Sequence, residues 1–286
     1  MIHYIGAHIN KESGSLIKTM EVIKNNRGNA LQLFASNPRS ASLPNMENYE
    51  KSANEIKNYC LINDFKLVIH ASYTINLAKD MKINKRTIDI KDCYWINLVL
   101  HELLVSDMIG AIGVVVHVGK YTNGSVEQGI KNMFEAISCI ILNIRDLNIK
   151  SKLIIETPAG AGTELLNDIN DFIQFYNSFN TEQKKHLGIC LDTAHIWSSG
   201  YDINEYYNII SKTNIKDIMV IHYNNSKKEK NSHVDTHETL FNGKIPIIDL
   251  EQFIKKFKNN KHIPMIILEK PSDKLEKEIK YIQELL

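Results

Sequence analysis

Imidazole and carboxylate side chains stand at regular stations along this chain: His8, His70, His117, Glu156, Asp192 with His195, His222, Asp235 with His237, and Glu269. Seven of these stations, His8, His70, His117, Glu156, Asp192, His222 and Glu269, close a short apolar run, and successive ones lie 30 to 62 residues apart. Taken singly, a His or Asp after such a run reads as a hydrogen-bonded turn or cap. As a set they pose a larger problem, because each polar group buried without a partner costs about 1–3 kcal/mol, and more if charged. A shared cluster of metal ions would satisfy all of them at once. Nitrogen and carboxylate oxygen without thiolate suit zinc and permit manganese or iron, whereas magnesium would not call for so many imidazoles. Two or three clustered divalent ions are a device for phosphoester hydrolysis.

Two local spacings add to this. In Val234-Asp235-Thr236-His237 an extended backbone puts Asp235 and His237 on the same side, within reach of one ion. In Cys190-Leu191-Asp192-Thr193-Ala194-His195 the chain turns after Asp192, so Asp192 and His195 are free to serve different ions.

The elements that must position these residues follow from hydrophobic periodicity. Apolar, β-branched runs span 3–9, 30–35, 67–71, 113–119, 152–157, 187–191, 218–223 and 265–269, several of them apolar at consecutive positions, as strands buried on both faces are. Helical spacing lies between them, clearest at Ile130, Met133, Phe134, Ile137, Ile141 and Ile144, and at Ile169, Phe172, Ile173 and Tyr176. Strand–helix alternation without a linker or low-complexity tract predicts one α/β domain over residues 1–286, a (β/α)8 TIM barrel with its site at the C-terminal rim of the strands. A doubly wound open sheet is the runner-up, but the chain has neither a GxGxxG after the first strand nor a P-loop.

Composition sets the outer bounds. The 286 residues, 43% hydrophobic and 23% charged, are ordinary for a globular protein with a large core. Lys+Arg 34 less Asp+Glu 33 leaves +1, so nucleic-acid contact would need a local patch. Cys60, Cys93, Cys139 and Cys190 are spaced 33, 46 and 51 apart, which excludes paired CxxC zinc knuckles and reads as reduced thiols. The first residues lack a basic segment followed by a long apolar core, and no apolar stretch approaches about 18 residues. Neither secretion nor membrane insertion is expected. A cytosolic setting is the default, with nuclear or virion residence left open.

In order along the chain, Gly6-Ala7-His8, Leu33-Phe34 leading to Asn37-Pro38-Arg39, His70-Ala71-Ser72-Tyr73-Thr74-Ile75-Asn76-Leu77, His117-Val118-Gly119, Glu156-Thr157-Pro158-Ala159-Gly160-Ala161-Gly162, Leu191-Asp192-Thr193-Ala194-His195, Gly200-Tyr201-Asp202, His222-Tyr223-Asn224, Val234-Asp235-Thr236-His237 and Leu268-Glu269 resemble the endonuclease IV family of apurinic/apyrimidinic (AP) endonucleases. The resemblance implies a barrel with three zinc ions, manganese being acceptable at some sites. By motif match His70 and His117 would bind the first ion, and Glu156 would bridge it to the second. Asp192, His222 and Glu269 would complete the second, and His195, Asp235 and His237 would hold the third. Glu156 and Glu269 would be catalytic, with Glu269 orienting or deprotonating the attacking water. The implied reaction is hydrolysis of the phosphodiester 5′ to an abasic site, leaving a 3′-hydroxyl and a 5′-deoxyribose phosphate, with 3′-diesterase trimming as a companion activity. The implied partner is double-stranded DNA containing abasic sites, bent and flipped by a monomeric protein, with Arg39 and Tyr73 entering the duplex. Lys227, Lys228, Lys230 and Lys244 would reach phosphates or simply line a solvated loop.

Four positions depart from the family pattern. Asn10 stands where Ser is usual, Thr74 where an apolar residue often accompanies the tyrosine, Asn225 where Asp commonly follows His-x-Asn, and Thr236 where Arg commonly separates the Asp and His. None removes a ligand. Two other readings compete: a sugar isomerase or epimerase, which resembles this chain in its barrel and in a one-metal set equivalent to Glu156, Asp192, His222 and Glu269, and a damage-binding protein without turnover.

Overall fold

The computed structural model describes residues 2–9, 14–79, 82–83, 86–87, 89–122, 124–259 and 262–286. Eight parallel strands close into a barrel: β1 (Ile5–His8), β2 (Ala30–Phe34), β3 (Lys66–His70), β4 (Gly113–His117), β5 (Lys152–Glu156), β6 (Leu187–Asp192), β7 (Ile218–His222) and β8 (Met265–Leu268). Each pairs with its sequence neighbours and β8 returns to β1, with Ile5 opposite Ile266 and Ala7 opposite Leu268. The expected TIM barrel is therefore the fold, and each strand falls within or beside its apolar run. Asn10, one of the four departures, lies outside the described residues.

Helices cover the outside: α1 (Leu16–Asn25), α2 (Met46–Ile62), α3 (Tyr94–Ile109), α4 (Val126–Asp146), α5 (Ile169–Asn177), α6 (Thr181–Lys184), α7 (Thr193–Ser198), α8 (Ile203–Asn214), α9 (Ile247–Lys255) and α10 (Leu275–Leu285). Their starts are written in cap residues. Ser125 accepts from Gln128 N before α4, and Asp168 accepts from Asn170 N before α5. The stripe of α4 that includes Met133, Ile137, Ile141 and Ile144 is buried against the sheet. α3 ends at Gly110, whose φ of +75° is the left-handed conformation that glycine supplies without strain.

The core has two layers. A large one lies between sheet and helices, and a smaller one fills the barrel with Ala30, Val68, Val115, Ile154, Cys190, Val220, Met265 and Ile267. Strand side chains alternate, so the residue two positions beyond an interior one points inward one layer higher. That rule converts the interior layer into the rim: Ala30 leads to Gln32, Val68 to His70, Val115 to His117, Ile154 to Glu156, Cys190 to Asp192, Val220 to His222 and Ile267 to Glu269. On β1 the same step leads from Gly6 to His8. A Cβ on Gly6 would lie 1.6 Å from the Ala30 carbonyl oxygen, so β1 can approach β2 only with glycine there. Among the described residues no helix is long and apolar enough to cross a membrane, and the four cysteines are free thiols.

Candidate metal centre

Glu156, at the end of β5, is the buried hub of the rim. Its Oε2 lies 3.3 Å from His117 Nε2 and 3.5 Å from His70 Nε2, while Oε1 lies 2.7 Å from His222 Nδ1. Asp192 Oδ2 stands 3.6 Å from His222 Nδ1 on one side and 3.5 Å from His237 Nε2 on the other. Glu269 Oε2 is 3.4 Å from His222 Nδ1. Asp235 Oδ1 closes the far side, 3.1 Å from His195 Nε2 and 3.4 Å from His237 Nε2.

Four groups of donors could each hold an ion: His70, His117 and Glu156; Glu156, Asp192, His222 and Glu269; Asp192, His195 and His237, with Asp235 beside them; and Glu156 and His222 with the Cys190 thiol, which the sequence reading left out of the cluster. Within each group the donor atoms lie within 4.8 Å of one another. All nine residues expected as ligands converge on one rim. The geometry differs from the motif match in one respect, because Asp192 reaches the third group as well as the second.

Two of the ring nitrogens that face away from the cluster are committed. His70 Nδ1 is 2.8 Å from the Ala71 carbonyl and His195 Nδ1 is 2.9 Å from the Thr157 carbonyl, and a carbonyl can only accept. Each ring therefore keeps its hydrogen on the outer nitrogen and turns a bare Nε2 toward carboxylates, an arrangement that needs a positive charge between them. Three of the inward atoms, Glu156 Oε2, His195 Nε2 and His237 Nε2, are buried and have no hydrogen-bond partner among the described residues. Metal ions fit this donor set.

The electrostatics agree. Burial pushes the His195 and His222 imidazoles down, but neighbouring acidic groups, Asp192 and Asp235 for His195, overcome it and hold both well above the ordinary histidine range. Burial pushes Asp192 up, yet His195 and His237 hold it down at about 2. His8 goes the other way, since burial lowers it to about 3.

Elements and loops share the work of positioning. Asp192 ends β6 and caps α7, accepting from His195 N at 2.8 Å, so the turn expected after Asp192 carries His195 to its own group. His237 belongs to a short ribbon in which Asn225–Ser226 pairs with His237–Glu238. Asn225 locks that loop through the carbonyls of Leu240 and Ile245, and Thr236 lines the cavity.

A cavity of about 670 Å³ opens over the cluster, lined by His8, Phe34, His70, Tyr73, His117 and Glu269 among others. Tyr73 stands exposed at its edge, its ring 5.6 Å from His70 and 6.0 Å from His117. Burial of the hydroxyl, with Glu269 and Glu156 nearby, pushes the phenol up to about 12. Arg39 is exposed on the neighbouring loop, and the two loops are stitched together. Ser72 Oγ reaches the Pro38 and Ser40 carbonyls at 3.0 and 3.1 Å and Thr74 Oγ1 at 2.9 Å, and Tyr73 N donates to Pro38 O. Of the four lysines, Lys230 pairs with Asp202 and Lys244 with Glu229, which leaves Lys227 and Lys228 without an ion pair among the described residues.

Three residues at the site had no role in the sequence reading, although Asn224 stood in one of its motifs. Gln32 is buried at the rim, Asn224 donates to Asp192 Oδ2 and Glu269 Oε2 at 2.8 and 3.0 Å, and Glu102 accepts from Ser72 N beneath the Tyr73 loop. Burial pushes the Glu102 carboxyl up to about 8. For Gln32 a signal existed: a polar residue two positions beyond an interior alanine in a strand buried on both faces.

The profile of the xylose isomerase-like TIM barrel family matches residues 28–285. The probable endonuclease 4 of Mycoplasmopsis pulmonis is 30% identical over 277 residues, covering 93% of this chain and 92% of that protein. The putative endonuclease 4 of Acanthamoeba polyphaga mimivirus is 29% identical over 289 residues, covering 96% and 87%. The crystal structure of endonuclease IV from Thermus thermophilus superposes with a TM-score of 0.76 at 21% identity over 99% of this chain and 98% of that one, a likeness of fold. The chain belongs to the endonuclease IV family of xylose isomerase-like TIM barrels.

Proposed function

We propose that this protein is a metal-dependent AP endonuclease of DNA base-excision repair. It hydrolyses the phosphodiester 5′ to an abasic site in double-stranded DNA, leaving a 3′-hydroxyl and a 5′-deoxyribose phosphate, and trims blocked 3′ ends as a diesterase. The observation that carries this reading is the convergence of three donor groups, joined through Glu156 and Asp192, on the floor of one open cavity. His70, His117 and Glu156 would hold one ion, Glu156, Asp192, His222 and Glu269 a second, and His195, Asp235 and His237 a third, with zinc expected and manganese tolerated. When bound, such ions polarise phosphoryl oxygens and yield a nucleophile from water at neutral pH.

The chain supplies the rest. Gln32 holds Glu269 Oε1 and Asn224 holds Oε2, which fixes this carboxylate to orient or deprotonate an attacking water. Tyr73 and Arg39, stitched into one unit, are disposed to enter the duplex at the lesion, where lost base pairing makes flipping cheapest. A sugar epimerase would need only the second donor group and leaves the others without use.

The test is a duplex with one tetrahydrofuran abasic analogue, which cannot undergo β-elimination. A single cut 5′ to the analogue with an extendable 3′-hydroxyl supports the proposal. No cut by protein carrying its full metal complement refutes it.

A further inference from the structure

Gln32 is fully buried at the rim, with both amide hydrogens and the amide oxygen engaged. The orientation of its amide is anchored by Glu269. A carboxylate oxygen only accepts, so the group 2.8 Å from Glu269 Oε1 must be the amide nitrogen. Gln32 Oε1 then faces His222 Nε2 at 2.7 Å, and that nitrogen must carry the ring hydrogen. In the neutral ring that a metal ligand requires, His222 Nδ1 is then the bare nitrogen, facing Glu156 Oε1 at 2.7 Å.

The same logic runs the other way. The second amide hydrogen of Gln32 meets His8 Nδ1 at 3.0 Å, so that nitrogen is an acceptor and neutral His8 keeps its hydrogen on Nε2. His8 Nε2 has no partner among the described residues, and the ring, packed 4.4 Å from Phe34, lines the cavity. We propose that Gln32 sets His8 as an Nε2–H donor to a non-bridging oxygen of the substrate phosphate, which makes His8 a substrate-binding residue and Gln32 its positioning residue. The proposal rests on the phosphodiesterase reading above. It gives the phosphate a neutral donor beside a cluster already crowded with charge, on a ring whose Nδ1 is 4.0 Å from Glu269 Oε1.

Zinc-loaded protein with isotope-labelled histidine tests it by NMR, with His8→Phe identifying the His8 signal. The expected state is hydrogen on Nε2 with Nδ1 bare. Gln32→Leu mixes the two tautomers, and inorganic phosphate shifts the His8 Nε2 signal. On the abasic duplex His8→Phe lowers kcat/KM by about 10- to 100-fold, the worth of one hydrogen bond to an anion. His8→Gln, which keeps an amide donor at that reach, recovers most of the loss, and zinc content is the same in both His8 variants. Hydrogen on Nδ1, a His8 signal unmoved by phosphate, or wild-type kcat/KM in His8→Phe overturns the inference while leaving the endonuclease reading intact. If the wild type cuts no abasic duplex but phosphate still moves the His8 signal, the endonuclease reading falls and the phosphate contact stands.

Discussion

Glu156 and Glu269 differ from ordinary rim carboxylates in what they join. Glu156 meets His70 and His117 through one oxygen and His222 through the other, so Glu156→Gln removes a charge shared by two donor groups. Its expected outcome is loss of zinc together with a fall in cleavage rate of about 10²-fold or more, read by metal analysis and initial rates. Glu269→Gln keeps more metal and loses roughly 10²–10⁴-fold in kcat, if its carboxylate handles the water proton. Glu102 invites a different experiment. The unfolded chain loses that proton near 4.5, whereas the folded carboxyl keeps it up to about 8. Its contribution to stability is therefore complete below about 4.5 and declines as pH rises through 4.5 to 8, by about 1.4 kcal/mol per unit of separation at most. Glu102→Gln, which still accepts from Ser72 N, should flatten that part of the curve and raise the melting temperature at pH near 8 relative to the wild type.

Elements and their loops decide which residues act together. Ser72 ties the Arg39 loop to the Tyr73 loop through the Pro38 and Ser40 carbonyl oxygens, so Ser72→Ala should weaken binding of an uncleaved abasic duplex by about 3- to 10-fold without changing zinc content, measured by fluorescence anisotropy. This is also the scale at which legibility in the sequence divides. Strands were readable because burial on both faces leaves consecutive apolar residues, and His70, His117 and Glu156 stood out as polar residues ending such runs. Gln32 was hidden between Leu31 and Leu33, where one polar residue looks like ordinary strand alternation. Glu102, flanked by His101 and Leu103, looked like the solvated face of a helix. Ser72 gave no sign, since its partners are carbonyls 32 and 34 positions away that no local period encodes.

For the whole molecule, the donor cluster and the net charge make separate predictions. Carboxylates held this close need positive charge between them, so metal binding is expected to stabilise the fold. Exhaustive chelation should lower the melting temperature by several degrees, and stoichiometric zinc should restore it, as calorimetry would report. With a net charge of +1, DNA affinity depends on which basic groups are unengaged. Lys227→Ala combined with Lys228→Ala should reduce the slope of log K against log salt by about 1–2, whereas Lys244→Ala, already paired with Glu229, should change it little.

Asp235 and His237 come from a loop, and that loop is moored to the helix that bears their partner. His233 N donates to Ser198 O, Val234 N donates to Ser198 Oγ, and Asn231 N donates to Trp197 O, all on the turn of chain that follows His195. Of the third donor group only Asp192 ends a strand; His195, Asp235 and His237 are assembled outside the strands and held together by these bonds. The barrel proper supplies a complete smaller centre in which six residues, His70, His117, Glu156, Asp192, His222 and Glu269, stand at strand ends. Shortening the segment after β7 would remove Asp235 and His237 and leave the six strand-end residues in place. One scaffold can in this way gain or shed an ion, and with it a class of chemistry, by the length of a single excursion of the chain.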